Sequence, residues 1–383
     1  MQDNFIPLSV PNLRGNEIKY AIDAIKNQWV STAGQQIKDF EQVVSSYVKA
    51  KAAAACQSGT AGLHLSLLAL NIEKNCEVIV PTLTFIAAVN PVRYVGAHPV
   101  FMDCDDSLCM DMEKLERFLE RECIKENGEI KNKLTGRKIK AILVVHIFGN
   151  MADMEMLMDI ARRYSLFVIE DATEALGTRY TKGKFKGKHA GTMGDIGVYS
   201  FNGNKIITTG GGGLVVSDQQ DLVDRVKFLS KQAKTDDLYF VHDEIGYNYR
   251  MTNVQAAIGL GQMEQLENFI NIKTHNYNLY KKYAVNLLPF GSSVRSNYWF
   301  YTYLTENRDE IIKYMAKHGV QTRPLWRLIH TQKCYQHSQC YKIEKAQKYL
   351  EKIVNLPCST DLDEKSIEKI AKLLISWPKF ESI

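Results

Sequence analysis

The 383-residue sequence lacks the features that mark membrane, secreted and nucleic-acid-binding proteins. No stretch approaches the roughly 18 apolar residues of a membrane helix. The start shows no basic segment followed by an apolar run, as a signal peptide would. The formal net charge is only +5, and basic residues are interleaved with acidic ones rather than gathered in a stripe. We therefore expect a cytoplasmic protein that binds neither membrane nor nucleic acid.

The eight cysteines are arranged neither as metal ligands nor as a disulfide framework. None belongs to a CxxC pair, and the closest spacing, Cys104 to Cys109, has no second pair or suitable histidines near it. We interpret them as reduced thiols of an intracellular protein, and we expect no metal site.

Apolar runs alternate with amphipathic segments through the first 275 residues or so. Continuous Val, Ile and Leu runs fit strands that are buried on both faces. These runs are EVIVPT (77–82), PVFMD (99–103), KAILVVHIF (140–148) and LFVIED (166–171). Amphipathic segments between them, such as 60–70, predict helices. The alternation predicts an α/β fold in which helices cover a mainly parallel sheet.

Two departures from this pattern indicate how the chain is organised. The charged stretch 125–138 predicts an exposed hairpin or loop. A long helical pattern from about 252 to 286 then leads into a smaller α/β pattern. We therefore expect a large domain over 1–275 and, over 276–383, the end of that helix with a small C-terminal α/β domain.

Polar residues follow several predicted strands, where the loops of a parallel sheet open onto a crevice. Asp171 closes LFVIED, and a carboxylate there is costly to bury unless a positive group meets it. Lys205 follows another strand pattern, and a buried lysine amine is a nucleophile suited to a Schiff base. Taken singly, Asp171 could be a helix N-cap, and Lys205 its partner in a structural salt bridge.

The surrounding residues favour a cofactor site, because a pyridoxal phosphate enzyme needs a lysine, an acid for the pyridinium nitrogen, an anion cradle and a stacking ring. Gly59 and Thr60 stand at a predicted helix start, where free N–H groups favour phosphate. Phe85 could stack on the cofactor ring or be an ordinary core aromatic. The glycines at 210–213 would let backbone pass close to the cofactor. No dinucleotide or P-loop motif supports a dehydrogenase or an ATPase.

Three long blocks in order carry a resemblance to a known family. EDATEALGT, GDIGVYSFNGNKIITTGGGG and GYNYRMTNVQAAIGLGQME resemble the signature blocks of the DegT/DnrJ/StrS sugar aminotransferases. Within that family, NGNKIITT and TRPLWRLIHTQ are similar to the legionaminic acid and bacillosamine branch, closest to the legionaminic type. The resemblance implies an aspartate-aminotransferase-like, fold type I pyridoxal phosphate enzyme with a mainly parallel seven-stranded sheet. It also implies a homodimer with two shared active sites.

The resemblance assigns roles to residues of this chain. Lys205 would bond to the cofactor aldehyde and move the substrate proton, Asp171 would pair with the pyridinium nitrogen, and Phe85 would stack on the ring. The further cofactor contacts it implies are Gly59, Thr60, Ser200, Asn202, Glu174 and, from the partner subunit, Asn248. Many members have Gln or His where this chain has Glu174, and a carboxylate near the cofactor's phenolate oxygen would repel it unless protonated or turned aside.

The expected reaction follows from the same resemblance. Glutamate would donate its amino group, which would pass to C4 of a UDP- or GDP-linked 4-keto-6-deoxy-N-acetylhexosamine. Arg323, Trp326 and His330 are candidates for the diphosphate, for stacking and for sugar hydroxyls, or else they serve domain packing. The alternatives are another keto sugar such as a perosamine-type substrate, a dehydratase, or a non-catalytic regulator. The dehydratase subgroup replaces the lysine with histidine, so Lys205 favours transamination.

Overall fold

The computed structural model describes residues 5–377. The helices are α1 (Glu17–Lys26), α2 (Gln35–Val48), α3 (Gly59–Ala69), α4 (Asn90–Tyr94), α5 (Met112–Arg121), α6 (Met154–Tyr164), α7 (Gln220–Ser230), α8 (Asn253–Lys282), α9 (Arg308–Lys317), α10 (Lys345–Lys352) and α11 (Glu364–Ile375). The strands of the main sheet are β1 (Ala52–Cys56), β2 (Glu77–Pro81), β3 (His98–Met102), β4 (Cys123–Glu126), β5 (Glu129–Asn132), β6 (Lys138–Val145), β7 (Phe167–Asp171), β9 (Ile196–Ser200), β10 (Gly213–Ser217) and β16 (Cys340–Tyr341). The remaining strands are β8 (Arg179–Tyr180), β11 (Lys234–Asp236), β12 (Val241–His242), β13 (Val294–Arg295), β14 (Tyr301–Leu304), β15 (Arg323–Pro324) and β17 (Ile353–Leu356).

The main sheet has the order β1-β10-β9-β7-β6-β2-β3-β16. Neighbouring strands from β9 to β16 run parallel, while β10 is antiparallel to both of its neighbours. Seven strands were expected and ten are present in the described residues, because the hairpin β4–β5 joins β6 and the short β16 extends the far edge. Burial on both faces is shared by β1, β2, β7 and β10, and α3 is almost wholly buried. This burial explains why the sequences of these segments are continuously apolar.

The charged stretch 125–138 contains a hairpin, one of the two forms predicted for it. Asn127 and Gly128 form its tip with φ values of 52° and 80°, the left-handed pair that tight hairpins require. The hairpin is antiparallel, and β5 pairs with the start of β6.

Helix α8 connects the main sheet to the C-terminal part of the chain. Thr252 caps its start, and Gln255 completes a capping box. The C-terminal part contains an antiparallel sheet of β14, β17 and β15, and α11 packs on α8. The division at 275/276 falls within α8, and it stays a prediction. Within residues 5–377, none of the helices combines the length and apolar character that a membrane span requires.

A buried ion cluster ties α10 to the edge of the main sheet. Asp103, directly after β3, accepts backbone N–H groups at the start of α10 at 2.8 to 2.9 Å, from Glu344, Lys345 and Ala346. The Lys114 amine lies 2.7 Å from the same carboxylate. Burial opposes ionisation of Asp103, but Lys114 and the three N–H groups hold the pKa of its carboxyl below the usual range.

Candidate active site

A cavity of about 370 Å³ opens at the carboxyl ends of β7 and β9, beside the start of α3. Parallel strands and a helix N-terminus meet there, which is where α/β proteins bind ligands. The structure brings nine of the predicted site residues together in the cavity lining. They are Gly59, Thr60, Phe85, Asp171, Glu174, Ser200, Asn202, Lys205 and Trp326.

Asp171 is the last residue of β7 and is buried. Its Oδ1 accepts the Thr173 N–H at 3.0 Å, and the chain beyond it forms turns rather than a helix. The helix N-cap hypothesis is therefore wrong. Burial raises the pKa of Asp171 above its usual value, although the Thr173 hydrogen bonds and the charge of Lys205 oppose the shift. A positively charged group in the cavity would therefore find a carboxylate that is short of partners.

Lys205 pairs with Glu174 and not, among the described residues, with Asp171. Its Nζ lies 3.8 Å from Glu174 Oε1 and 4.3 Å from the ring centroid of Trp299. Glu174 Oε2 accepts the N–H of Phe148 at 2.8 Å, and Phe148 has a left-handed φ of 54°. Burial raises the pKa of Glu174 from 4.5 to about 7, against the opposing effects of Lys205 and that N–H. Near neutral pH, this carboxyl can either hold or release a proton.

The start of α3 forms a tight cradle. Ser58 caps the helix, with its Oγ accepting the Ala61 N–H at 3.0 Å. A Cβ on Gly59 would stand 2.9 Å from side-chain carbons of Ser200 and Thr173. The first N–H groups of a helix have no partner within it, so they can bind an anion. The lack of a side chain at Gly59 lets this helix start lie against the end of β9.

The glycine stretch after Lys205 agrees with the expectation at two positions and departs from it at a third. Gly211 and Gly212 line the cavity, and Gly212 has a φ of +125°. At Gly213, however, a Cβ would meet the carbonyl carbon and oxygen of Ser58 at 2.5 Å. At that position the missing side chain makes room for the start of α3 and not for a cofactor.

Three predicted residues lie outside the cavity lining of this chain. Asn248 is exposed and forms an isolated antiparallel β-bridge with Lys231, and Arg323 is exposed on β15. His330 is half-buried, and its Nδ1 lies 2.6 Å from Thr82 Oγ1. Burial lowers the pKa of His330. Their binding roles stay predictions.

The residues that support the site carry no clear functional signal in the sequence. Trp299 lines the cavity and touches Lys205, but nothing in SNYWFYTY signals chemistry. His146 directly follows β6, but the sequence alone does not show its partner. Its Nε2 lies 2.8 Å from Glu170, which also accepts the N–H groups of Gly191 and Met193 at 2.7 and 2.6 Å. This buried network fixes the strand end that carries Asp171.

The residues present fit pyridoxal phosphate. A lysine amine, a buried acid short of partners and a glycine-lined helix start face one cavity. Phe85 is 52% exposed and lies with its ring centroid 5.8 Å from that of Trp326, so an aromatic face is available at the cavity. Each of the four groups that such a cofactor requires is therefore present.

Comparisons with known proteins identify relatives that cover most of this chain. The profile of the DegT/DnrJ/EryC1/StrS aminotransferase family matches residues 11–375. A GDP-perosamine synthase of Escherichia coli O157:H7 is 40% identical over 86% of this chain and 87% of its own length. A putative pyridoxal phosphate-dependent aminotransferase of Bacillus subtilis is 34% identical over 97% of this chain and 95% of its own.

Among solved structures, a DegT DnrJ EryC1 StrS aminotransferase from Brucella abortus matches with a TM-score of 0.86 and 26% identity, covering 94% of each chain. The names of these relatives do not support the narrower resemblance to the legionaminic acid and bacillosamine branch. They do support the fold type I α/β architecture and the cofactor. The chain belongs to the DegT/DnrJ/EryC1/StrS family of pyridoxal phosphate-dependent sugar aminotransferases.

Proposed function

We propose that this enzyme transfers the amino group of L-glutamate to C4 of a GDP-linked 4-keto-6-deoxyhexose and so makes a perosamine-type sugar nucleotide. The observation that carries the proposal is the Lys205 amine, which faces a cavity with Asp171 and Glu174 in its wall. The choice of sugar is supported by relatives that are named GDP-perosamine synthase.

Bound pyridoxal phosphate supplies an electron sink for the carbon that loses or gains a proton. Lys205 is then the group that moves the proton, because it is the amine within the cavity. Asp171 would hold the protonated ring nitrogen. The positive charge there would favour the carboxylate, whereas burial alone favours the neutral acid. The N–H groups at Gly59 and Thr60, with Ser200 beside them, would bind the phosphate.

A carboxyl beside an anionic oxygen must be protonated if the two are not to repel each other, and Glu174 can meet this requirement. Because burial raises its pKa to about 7, it can carry a proton in the physiological range. The Phe148 N–H holds one oxygen of the carboxyl at 2.8 Å. In that state Glu174 donates a hydrogen bond instead of repelling the cofactor.

We further propose that two chains share their active sites. The segment before Asn248 carries large exposed apolar side chains that a second subunit would cover. They are Leu238, Tyr239, Phe240, Val241 and Ile245. Asn248 is exposed next to this segment and reaches the partner's cofactor phosphate in the proposed dimer.

Mixing two inactive variants tests the shared site. A hybrid of a Lys205→Ala chain and an Asn248→Ala chain contains one site with both native residues. Because about half of the dimers in a randomly reassorted equimolar mixture are hybrids, mixing should restore about a quarter of the wild-type activity. Light scattering should report a dimer. Hybrid dimers that form but remain inactive would contradict the sharing.

The substrate is tested by direct assay. Purified enzyme with pyridoxal phosphate and ¹⁵N-glutamate is offered a GDP-linked 4-keto-6-deoxyhexose and, separately, a UDP-linked 4-keto-6-deoxy-N-acetylhexosamine. We expect the label in the GDP sugar. Label only in the UDP sugar would instead favour the N-acetylhexosamine branch. An unlabelled, deoxygenated product would indicate a dehydratase. No turnover of either sugar nucleotide would indicate a regulator.

A further inference from the structure

Trp299 is held in place by its backbone from several directions. Its N–H donates to Asn297 Oδ1 at 3.0 Å, and its carbonyl accepts the Lys273 amine at 3.1 Å and the Cys358 thiol at 3.3 Å. Lys273 is buried, and burial lowers the pKa of its amine. The indole stacks on Phe300 with centroids 4.1 Å apart. The three backbone bonds do not involve the Phe300 side chain, and they hold Trp299 firmly enough for it to position another group.

The indole meets the Lys205 region in two ways. Its Nε1–H donates to the carbonyl of Asn204 at 2.7 Å, which fixes the peptide before Lys205. Its face lies 4.3 Å from the Lys205 Nζ, a distance at which an ammonium is attracted by the ring. The contact is desolvated, because Trp299 is only 2% exposed and the lysine side chain 13%.

The same segment also anchors the other neighbour of the amine. Asn297 Nδ2 donates to the backbone carbonyl of Glu174 at 2.9 Å and to that of Leu176 at 3.0 Å. Glu174 Oε1 then lies 3.8 Å from the Lys205 Nζ. Residues 296–299 therefore set the positions of both groups that contact this amine.

We propose that Trp299 is a positioning residue for Lys205. Its N–H fixes the lysine backbone, and its face, with Glu174, receives the amine whenever Lys205 is not covalently engaged. The amine then keeps one location from which it can exchange protons with the reacting carbon, instead of searching among rotamers. This inference rests on the proposed function, since it concerns the same lysine.

The test compares Trp299→Leu, which removes both contacts, with Trp299→Phe, which keeps a ring face and loses the N–H. Phe300→Leu is the matched control. Phe300 belongs to the same buried aromatic stack, yet it is not among the described residues that line the cavity. Circular dichroism and thermal melting establish that each variant folds.

The first measurement is the acetylation of Lys205 by acetic anhydride in protein without cofactor, followed by peptide mass spectrometry. Losing the ring face that attracts the ammonium should speed acetylation by about five- to thirtyfold in Trp299→Leu, the range from a partly exposed to a desolvated cation–π contact. Phe300→Leu should react like wild type. The second measurement is turnover, where kcat of Trp299→Leu should fall about tenfold while KM for the sugar nucleotide stays nearly constant.

Equal acetylation rates in Trp299→Leu and wild type, or equal acceleration in Phe300→Leu, would overturn the proposal. If only Trp299→Phe folds, its acetylation rate must still exceed that of Phe300→Leu, because Phe offers a weaker cation–π face than Trp. Acetylation needs neither cofactor nor sugar. A failure of the proposed function therefore appears in the turnover assays alone, and a failure of this inference appears in the acetylation rates.

Discussion

Replacing Glu174 by glutamine should stabilise the cofactor-free protein. The gain in the free energy of unfolding over wild type should be larger at pH 8 than at pH 5. An unfolded glutamate ionises near pH 4.5, whereas burial in the folded protein raises the pKa of Glu174 to about 7. Between these values the folded state holds a proton that the unfolded state has released, so wild-type stability falls as pH rises. The full loss of folding stability caused by the raised pKa of Glu174 is present above pH 7.

The size of this effect follows from the two pKa values. At about 1.4 kcal/mol per pKa unit, a rise from 4.5 to about 7 amounts to roughly 3 kcal/mol. Glutamine avoids this cost and can still accept the Phe148 N–H, but Lys205 loses the attraction of the carboxylate. The gain at pH 8 is therefore at most about 3 kcal/mol, and at pH 5 it should be much smaller.

Urea denaturation of both proteins at pH 5 and pH 8 measures the difference. Glu267→Gln is a control of opposite sign. Burial opposes ionisation there too, but Arg295 and Tyr47 hold the pKa of Glu267 below its usual range. That variant should lose stability once the pH rises above the unfolded value. A Glu174→Gln gain that is identical at both pH values, or a loss that grows with pH, would refute the reasoning.

Three further outcomes are expected. Lys205→Ala should abolish transamination and the visible absorbance of the lysine–cofactor bond; retention of that absorbance would show that another amine binds the cofactor. Gly59→Ala should weaken pyridoxal phosphate binding about tenfold in a fluorescence titration, since overpacking costs about 1–3 kcal/mol; unchanged affinity would place the phosphate elsewhere. Asp103→Asn should lower the free energy of unfolding by about 3 kcal/mol, because Lys114 loses a buried charged partner. Asp106→Asn, which removes an exposed pair with Lys345, should cost under about 1 kcal/mol; equal losses in the two would contradict the role of burial.

The parts of the site that are visible in the sequence are those where the chemistry conflicts with the local pattern. Asp171 is conspicuous because it directly follows an apolar run, and Lys205 stands in the loop after β9. Taken singly, neither residue is diagnostic, and the three family blocks assign their roles. Trp299 could not be identified, because an aromatic residue in an aromatic segment is normally core. Only the folded chain shows that it faces a lysine 94 positions away, as the difference between 299 and 205 gives.

The fold shows the same division between local and long-range information. Long apolar runs mark the strands β2, β3, β6 and β7, because burial on both faces needs continuous hydrophobicity. The two residues of β16 carry no such signal, and they pair with β3 beside the Asp103 cluster that anchors α10. The room that Gly213 leaves for Ser58 is likewise a contact between distant segments, which local patterns cannot report.

The position of β16 has a consequence for how the chain is made. Cys340 and Tyr341 pair with Phe101 and Met102. On a ribosome, the outer edge of β3 is exposed early and stays without this partner until nearly nine-tenths of the 383 residues have emerged. An open strand edge is a template for association with other chains. Nascent chains and C-terminal truncations that end before residue 340 should therefore be the forms of this protein that most need a chaperone.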